Sequence, residues 1–194
     1  MRPRNAVEAP DAPVGRRWGC VRAVPLSILA AGALLAGLLA APTQAQDLVA
    51  PAGVCAGATE EETALCLVNY ARRHAGLEPF SRSVELDRAA AAKSEDILRC
   101  DSFSHFACGR DFTYWIRRAD YLTGRCWRAA ENLAWGVGAA ATARSAFRSW
   151  MASPPHRRNI LGPYGEIGIG LEVGELGGRA GTHVWTQHLG APCR

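Results

Sequence analysis

The sequence predicts an α+β domain in which helices come first and a small antiparallel sheet closes the chain. Between Thr59 and Ala152 apolar residues recur at three- and four-residue intervals, whereas from Ile167 onward they alternate. The chain is 48% apolar with six Trp and only 21% charged residues, so it has the means to build a core. Its 194 residues suit one domain with extensions. Elements arranged in this order favour helices layered on a sheet.

Residues 1–45 read as a secretory signal. Arg16, Arg17 and Arg22 precede an uncharged run from Ala23 to Ala41, and Thr43 and Ala45 set small residues before a cleavage point after Ala45. An uncleaved anchor is the competing reading, since about 19 apolar residues just span a bilayer. No Cys closely follows the run, which argues against a lipid-modified N-terminus. The formal net charge is +4, of which +3 falls on residues 1–45. The remaining +1 offers nothing to hold nucleic acid by charge. Residues 46–58, with Pro51 and Gly53, form a linker, and 59–194 form the domain.

Without Cys20, six cysteines remain: Cys55, Cys66, Cys100, Cys108, Cys126 and Cys193. An even set in an exported chain implies disulfides. Cys55–Cys66 is expected, closing a short loop, and the other four keep three possible pairings. No C-x-x-C occurs, which argues against a thiolate zinc site or a redox motif.

Thr59 to Glu62 is a capping box, and Ala64, Leu67, Val68, Ala71 and Ala75 continue a helix that Gly76 ends. Ser83 opens a second helix with Leu86, Ala89, Ala90 and Ile97 inward. Asp111 caps a short third helix through Ile116. Thr142 opens a fourth, stopped by Pro154-Pro155 near Ala152. Ile167, Ile169, Leu171 and Val173 make a strand, Thr182 to Leu189 a second, and Gly174 to Gly181 a hairpin loop.

Three polar segments set titratable residues at element edges: Phe103 to Phe106, Ala130 to Ala134, and Trp150 to Leu161. Ser104 and Ser153 are expected as turn or cap residues. Neither sits in a G-x-S-x-G, and closeness to His105 or His156 makes no triad. His74 is expected to face C-terminal carbonyls of its helix. His183 and His188 are expected on opposite faces of the last strand, at its surface. Trp127, Trp135, Trp150 and Trp185 are expected mainly in the core, with one or two possible along an apolar groove. Arg157-Arg158 reads as a solvated turn.

Several motifs stand in one order: Asn69-x-x-Arg72 with Gly76-Leu77, Phe103-Ser-His105, Glu131-Asn-Leu, and Trp150-x-x-Ser-Pro-x-His156-Arg-x-Asn-Ile-Leu. Gly168-x-Gly170 and Trp185-Thr-Gln follow. This set resembles the CAP superfamily of cysteine-rich secretory, antigen 5 and pathogenesis-related 1 proteins, in its bacterial SCP-like branch, over about residues 60–193. The resemblance implies a three-layer α-β-α sandwich and a cleft lined by two His and two Glu. His105, Glu131 and His156 match three of those positions. The second Glu falls on Ser153 and the usual Gly before the first Glu is Ala130, both departures from the pattern.

Two imidazoles and a carboxylate suit Zn²⁺ or another divalent cation, weakly bound, with water completing the site. The bland alternative is a hydrogen-bonded polar cluster. The reading that follows is a secreted or periplasmic, non-catalytic domain whose cleft of His105, Glu131, Ser153 and His156 binds a metal, a lipid or sterol, or a partner protein, as a monomer. One alternative is a metal-assisted peptidase with Glu131 as base, weakened because Glu131 would also have to be a ligand. Another is a disulfide-held structural module of the envelope.

Overall fold

The computed structural model describes residues 48–123 and 126–192. The expected signal segment, Cys20 and Cys193 lie outside the described residues.

Helix α1, Glu60–His74, starts where expected: Thr59 accepts from the Glu62 amide and Glu62 returns a bond to the Thr59 amide. Its buried stripe is Ala64, Leu67, Val68 and Ala71. Its last turn holds Arg72, Arg73 and His74, and His74 bonds the Tyr70 carbonyl at 3.0 Å, as expected of a helix-end imidazole. Helix α2, Val84–Arg99, follows its Ser83 cap. Helix α3, Thr113–Arg118, begins slightly later than the sequence suggests, with Asp111 still accepting from the Thr113 amide at 2.7 Å. Helix α4, Ala143–Ala152, has Thr142 as its cap.

The proline pair does more than stop α4. Pro154 and Pro155 take the first positions of helix α5, Pro154–Ile160, where a missing amide hydrogen costs nothing. Arg157 and Arg158 therefore lie in a helix and not in the expected solvated turn.

Strands β1, Ser81–Arg82, β2, Trp127–Gly136, β3, Glu166–Leu176, and β4, Arg179–Pro192, form one sheet in the order β1-β3-β4-β2. The β2–β4 and β3–β4 ladders are antiparallel, and the two-residue β1 joins β3 in parallel. The hairpin turn is tighter than expected, because the strands run on to Leu176 and resume at Arg179. Gly177 and Gly178 make it at φ of +57° and +72°.

Alternation assigns each face. Ile167, Ile169, Trp185, Leu189, Ala130 and Ala134 pack against Leu67 and Val68 of α1 and Phe147 and Trp150 of α4. On the opposite face, Gly168 and Gly170 let α2 approach the backbone. A Cβ at Gly168 would stand 2.0 Å from the Leu86 carbonyl carbon, and one at Gly170 would stand 2.2 Å from the Ala91 nitrogen. The same face carries Leu133 and Val184 against Ile97 of α2. The result is the α-β-α sandwich. Trp150 and Trp185 lie in its core, whereas Trp127 is half-buried and Trp135 is exposed.

Arg72 closes the layers. Its guanidinium donates to the carbonyls of Glu78 and Ile160 at 2.7 Å, Gly162 at 3.0 Å and Tyr164 at 3.3 Å, and stacks on Phe80. Asn69 pairs with both backbone groups of Phe80. Cys55–Cys66 forms as expected, and Cys100–Cys108 forms among the remaining cysteines. Cys126 is also disulfide-bonded.

Candidate functional site

Glu131 lies inside β2, opposite His188 of β4, and not at an element edge as the sequence suggests. Its carboxylate is almost fully buried and meets two imidazoles. Oε1 is 2.6 Å from His105 Nδ1, and Oε2 is 2.9 Å from His188 Nε2. An ionised carboxylate only accepts, so both rings donate at these nitrogens. Burial works to raise the Glu131 pKa, but the hydrogen bonds from His105 and His188 and the charges of His188 and Lys93 outweigh it. The group is held at about 2.

His188 corrects the surface expectation: it is fully buried, with Nδ1 lacking a partner among the described residues. Its partner on β3 is Gly168, in the strip where α2 lies directly on the backbone, so no solvent reaches it. His183, on the other face of β4, is half-exposed.

His105 reaches Glu131 from the loop between α2 and the short turn at Ala107–Gly109. Three anchors hold that loop. The Cys100–Cys108 bridge closes its ends. The buried ammonium of Lys93 donates to the His105 carbonyl at 2.8 Å. Ser104 accepts from the Phe106 amide, the turn role expected of it. Burial lowers the Lys93 pKa, while the charges of Glu131, Asp96 and Asp111 act to raise it. Beneath the loop, buried Asp96 accepts from Arg110 and from Trp115 Nε1, all at 2.7 Å, and pairs with Arg99.

His156 comes from the other side of the sheet, on α5. Asn132 faces away from Glu131 along β2 and donates to the His156 carbonyl at 3.2 Å and to Gln187 Oε1 at 2.8 Å. Asn159 donates back to Asn132 Oδ1 at 2.8 Å. Since β2 is an edge strand, the His105 loop and α5 flank its free edge from opposite faces. Burial, and then the charge of His105, lower the His156 pKa. Its Nδ1 is buried without a partner among the described residues. Ser153 joins α4 to α5, where its carbonyl accepts from the Arg157 amide at 2.9 Å.

The four expected cleft residues thus divide. His105 and Glu131 are in contact, His156 is near enough for the charge of His105 to act on it, and Ser153 supplies a helix junction. Sequence reasoning missed His188 and Lys93. Only the β2–β4 register, which sets Glu131 beside His188, reveals the first. Lys93 is legible only as the chain's one lysine placed on the inward side of a helix.

As a direct three-ligand metal set, His105, Glu131 and His156 do not fit as they stand. Both Glu131 oxygens are engaged, and among the described residues no three His, Cys, Asp or Glu side chains group to hold an ion. What the arrangement offers instead is His105 held at Nδ1, with Nε2 left to meet a ligand. A carboxylate behind an imidazole commonly orients it in this way.

Comparison with known proteins agrees with this architecture. Uncharacterized protein YkwD of Bacillus subtilis (strain 168) is 30% identical over 131 residues, covering 66% of this chain and 46% of that protein. The chain therefore spans less than half of that relative's length. An extracellular SCP-domain protein from Bacillus anthracis superposes with a TM-score of 0.55 at 20% identity, over 67% of this chain and 39% of that one. An outer surface protein from Borrelia burgdorferi gives 0.57 at 14% identity, over 69% and 93%. The motifs, the sandwich and a sequence model of the cysteine-rich secretory protein family that matches residues 65–189 agree, and the chain belongs to that family, CAP.

Proposed function

We propose that this chain acts outside the cytoplasm as a ligand-binding domain that does not turn its ligand over. The expected signal segment and the bridges Cys55–Cys66 and Cys100–Cys108 support an oxidising location. So do relatives described as an extracellular protein and an outer surface protein.

The observation that carries the non-catalytic reading is the double engagement of Glu131. A carboxylate held at about 2, with an imidazole on each oxygen, is a poor proton acceptor near neutrality. A general base works best with a pKa near the working pH. This disfavours the peptidase alternative.

The ligand chemistry that suits the rim is a weakly held divalent cation. His105 and His156 would supply the two nitrogens, and Glu131 would orient His105 from behind. A lipid, a sterol or a partner protein would meet the same rim. The cation is the probe because two imidazoles call for it. Ser153, at the junction of α4 and α5, holds the position where the family resemblance puts a second carboxylate, so a charge is missing there and weak affinity is expected. Calorimetry with Zn²⁺ tests this. Weak binding in the wild type, loss in His156→Ala and tighter binding in Ser153→Glu are expected. Equal affinity in wild type and His156→Ala would place any cation elsewhere and leave a structural cluster.

A further inference from the structure

A concave site lies on the face of the sheet that carries Glu131. Residues Glu131, Leu133 and Trp135 alternate onto this face of β2. Glu131 meets His105, and two residues earlier on the same disulfide-closed loop stands Phe103. Phe103 and Trp135 border a surface cavity of about 230 Å³ with Asp101, Leu176, Gly177 and Arg179.

Both rings are open to solvent, each 43% exposed. Leu176 is buried and joins the cluster of Leu133, Ile97 and Val184, so the floor is fixed. Asp101 accepts from the Gly177 amide, which ties the loop to the β3–β4 turn. Arg179 leans over Trp135 with its guanidinium 5.5 Å from the ring centroid. At that distance the contact is a long cation–π one, and Arg179 Nη1 also donates to the Gly177 carbonyl at 3.5 Å.

We propose that this cavity binds a pyranose glycan. A sugar ring has a flat C–H face and an edge of hydroxyl groups. Phe103 and Trp135 offer apolar ring surface to the first. Arg179 and Asp101 supply donors and an acceptor to the second, one charge of each sign, so a neutral polyhydroxylated ligand is satisfied by both. Apolar walls with a few placed polar groups are the usual makeup of a small-molecule site. A hydrocarbon chain could make no hydrogen bond to either the Arg179 guanidinium or the Asp101 carboxylate. The assignment is independent of any cation at His105 and His156.

Tryptophan fluorescence and calorimetry with chitohexaose and cellohexaose test it. Saturable binding to at least one hexasaccharide is expected, with a change in tryptophan emission. Trp135→Ala should weaken binding by about two- to tenfold, the loss of one aromatic contact. Trp135→Phe should keep part of it, and Phe103→Ala should weaken it independently. Arg118→Ala, beside the separate cavity at Trp115, should leave it unchanged. Circular dichroism should report the same fold for every variant, since Trp135 and Phe103 are exposed. No saturable response to either glycan, or equal affinity in wild type and Trp135→Ala, overturns the assignment. So does a response that only peptides or lipid vesicles produce.

Discussion

His188 and Glu131 face each other across the β2–β4 ladder, and His188 Nε2 donates to Glu131 Oε2 at 2.9 Å inside the protein. His105 takes the other oxygen at 2.6 Å from the solvent side. The carboxylate therefore bridges a buried ring and a half-exposed one, and ties the His105 imidazole to the core.

That bridge makes stability depend on acid. The folded state holds Glu131 at about 2 against an ordinary 4.5, so its contribution is complete above about 4.5 and disappears as pH falls through about 2. The difference corresponds to roughly 3 kcal/mol, to an order of magnitude. Urea unfolding between pH 7 and 2 should show the loss. Glu131→Gln should start less stable and lose less across that range. A wild type and Glu131→Gln with parallel pH profiles would contradict the bridge.

His156 should titrate below its ordinary 6.5, first because it is buried and second because His105 repels its charge. The unfolded chain then takes up the proton first, so this group's share of stability falls as pH drops below about 6.5. Proton NMR of the ring carbons gives the midpoint. His105→Ala should raise that midpoint without bringing it to 6.5, since burial remains. A wild-type midpoint at or above 6.5 would refute the placement of His156. A neutral ring is the one that holds a cation, so on the proposed function Zn²⁺ binding at His156 should persist somewhat further into acid than at an ordinary imidazole.

Gly168→Ala and Gly170→Ala should each destabilise by about 3 kcal/mol or more, because the added methyl meets helix backbone and not a side chain that can turn away. Gly165→Ala is the control: nothing lies within 4 Å of its added methyl, and about 0.5 kcal/mol or less is expected. Thermal unfolding of the three variants decides this.

Arg72→Lys should cost about 2–4 kcal/mol, since an ammonium cannot reproduce a planar fork that reaches four carbonyls. One of those carbonyls belongs to Ile160, the last residue of α5. The helix that carries His156 should loosen, and the Zn²⁺ affinity that the proposed function expects should fall with stability. A variant with wild-type stability would show that the four bonds are redundant.

The sequence by itself determined what local chemistry encodes. The caps at Thr59, Ser83 and Thr142 announce α1, α2 and α4, and the alternation from Ile167 announces β3. The ordered motifs set the family and named His105, Glu131 and His156. Local chemistry was ambiguous at Pro154-Pro155, because the same pair that ends one helix is favoured at the start of another. Strand β2 was hidden because its mixed run through Ala130, Glu131 and Asn132 is buried on both faces and gives no clean alternation. Only the tertiary structure decided that His188 belongs to the site and that Trp135 stands open beside Phe103. Those relationships are set by strand register and loop closure, which join residues 57 and 32 positions apart and leave no trace in local spacing.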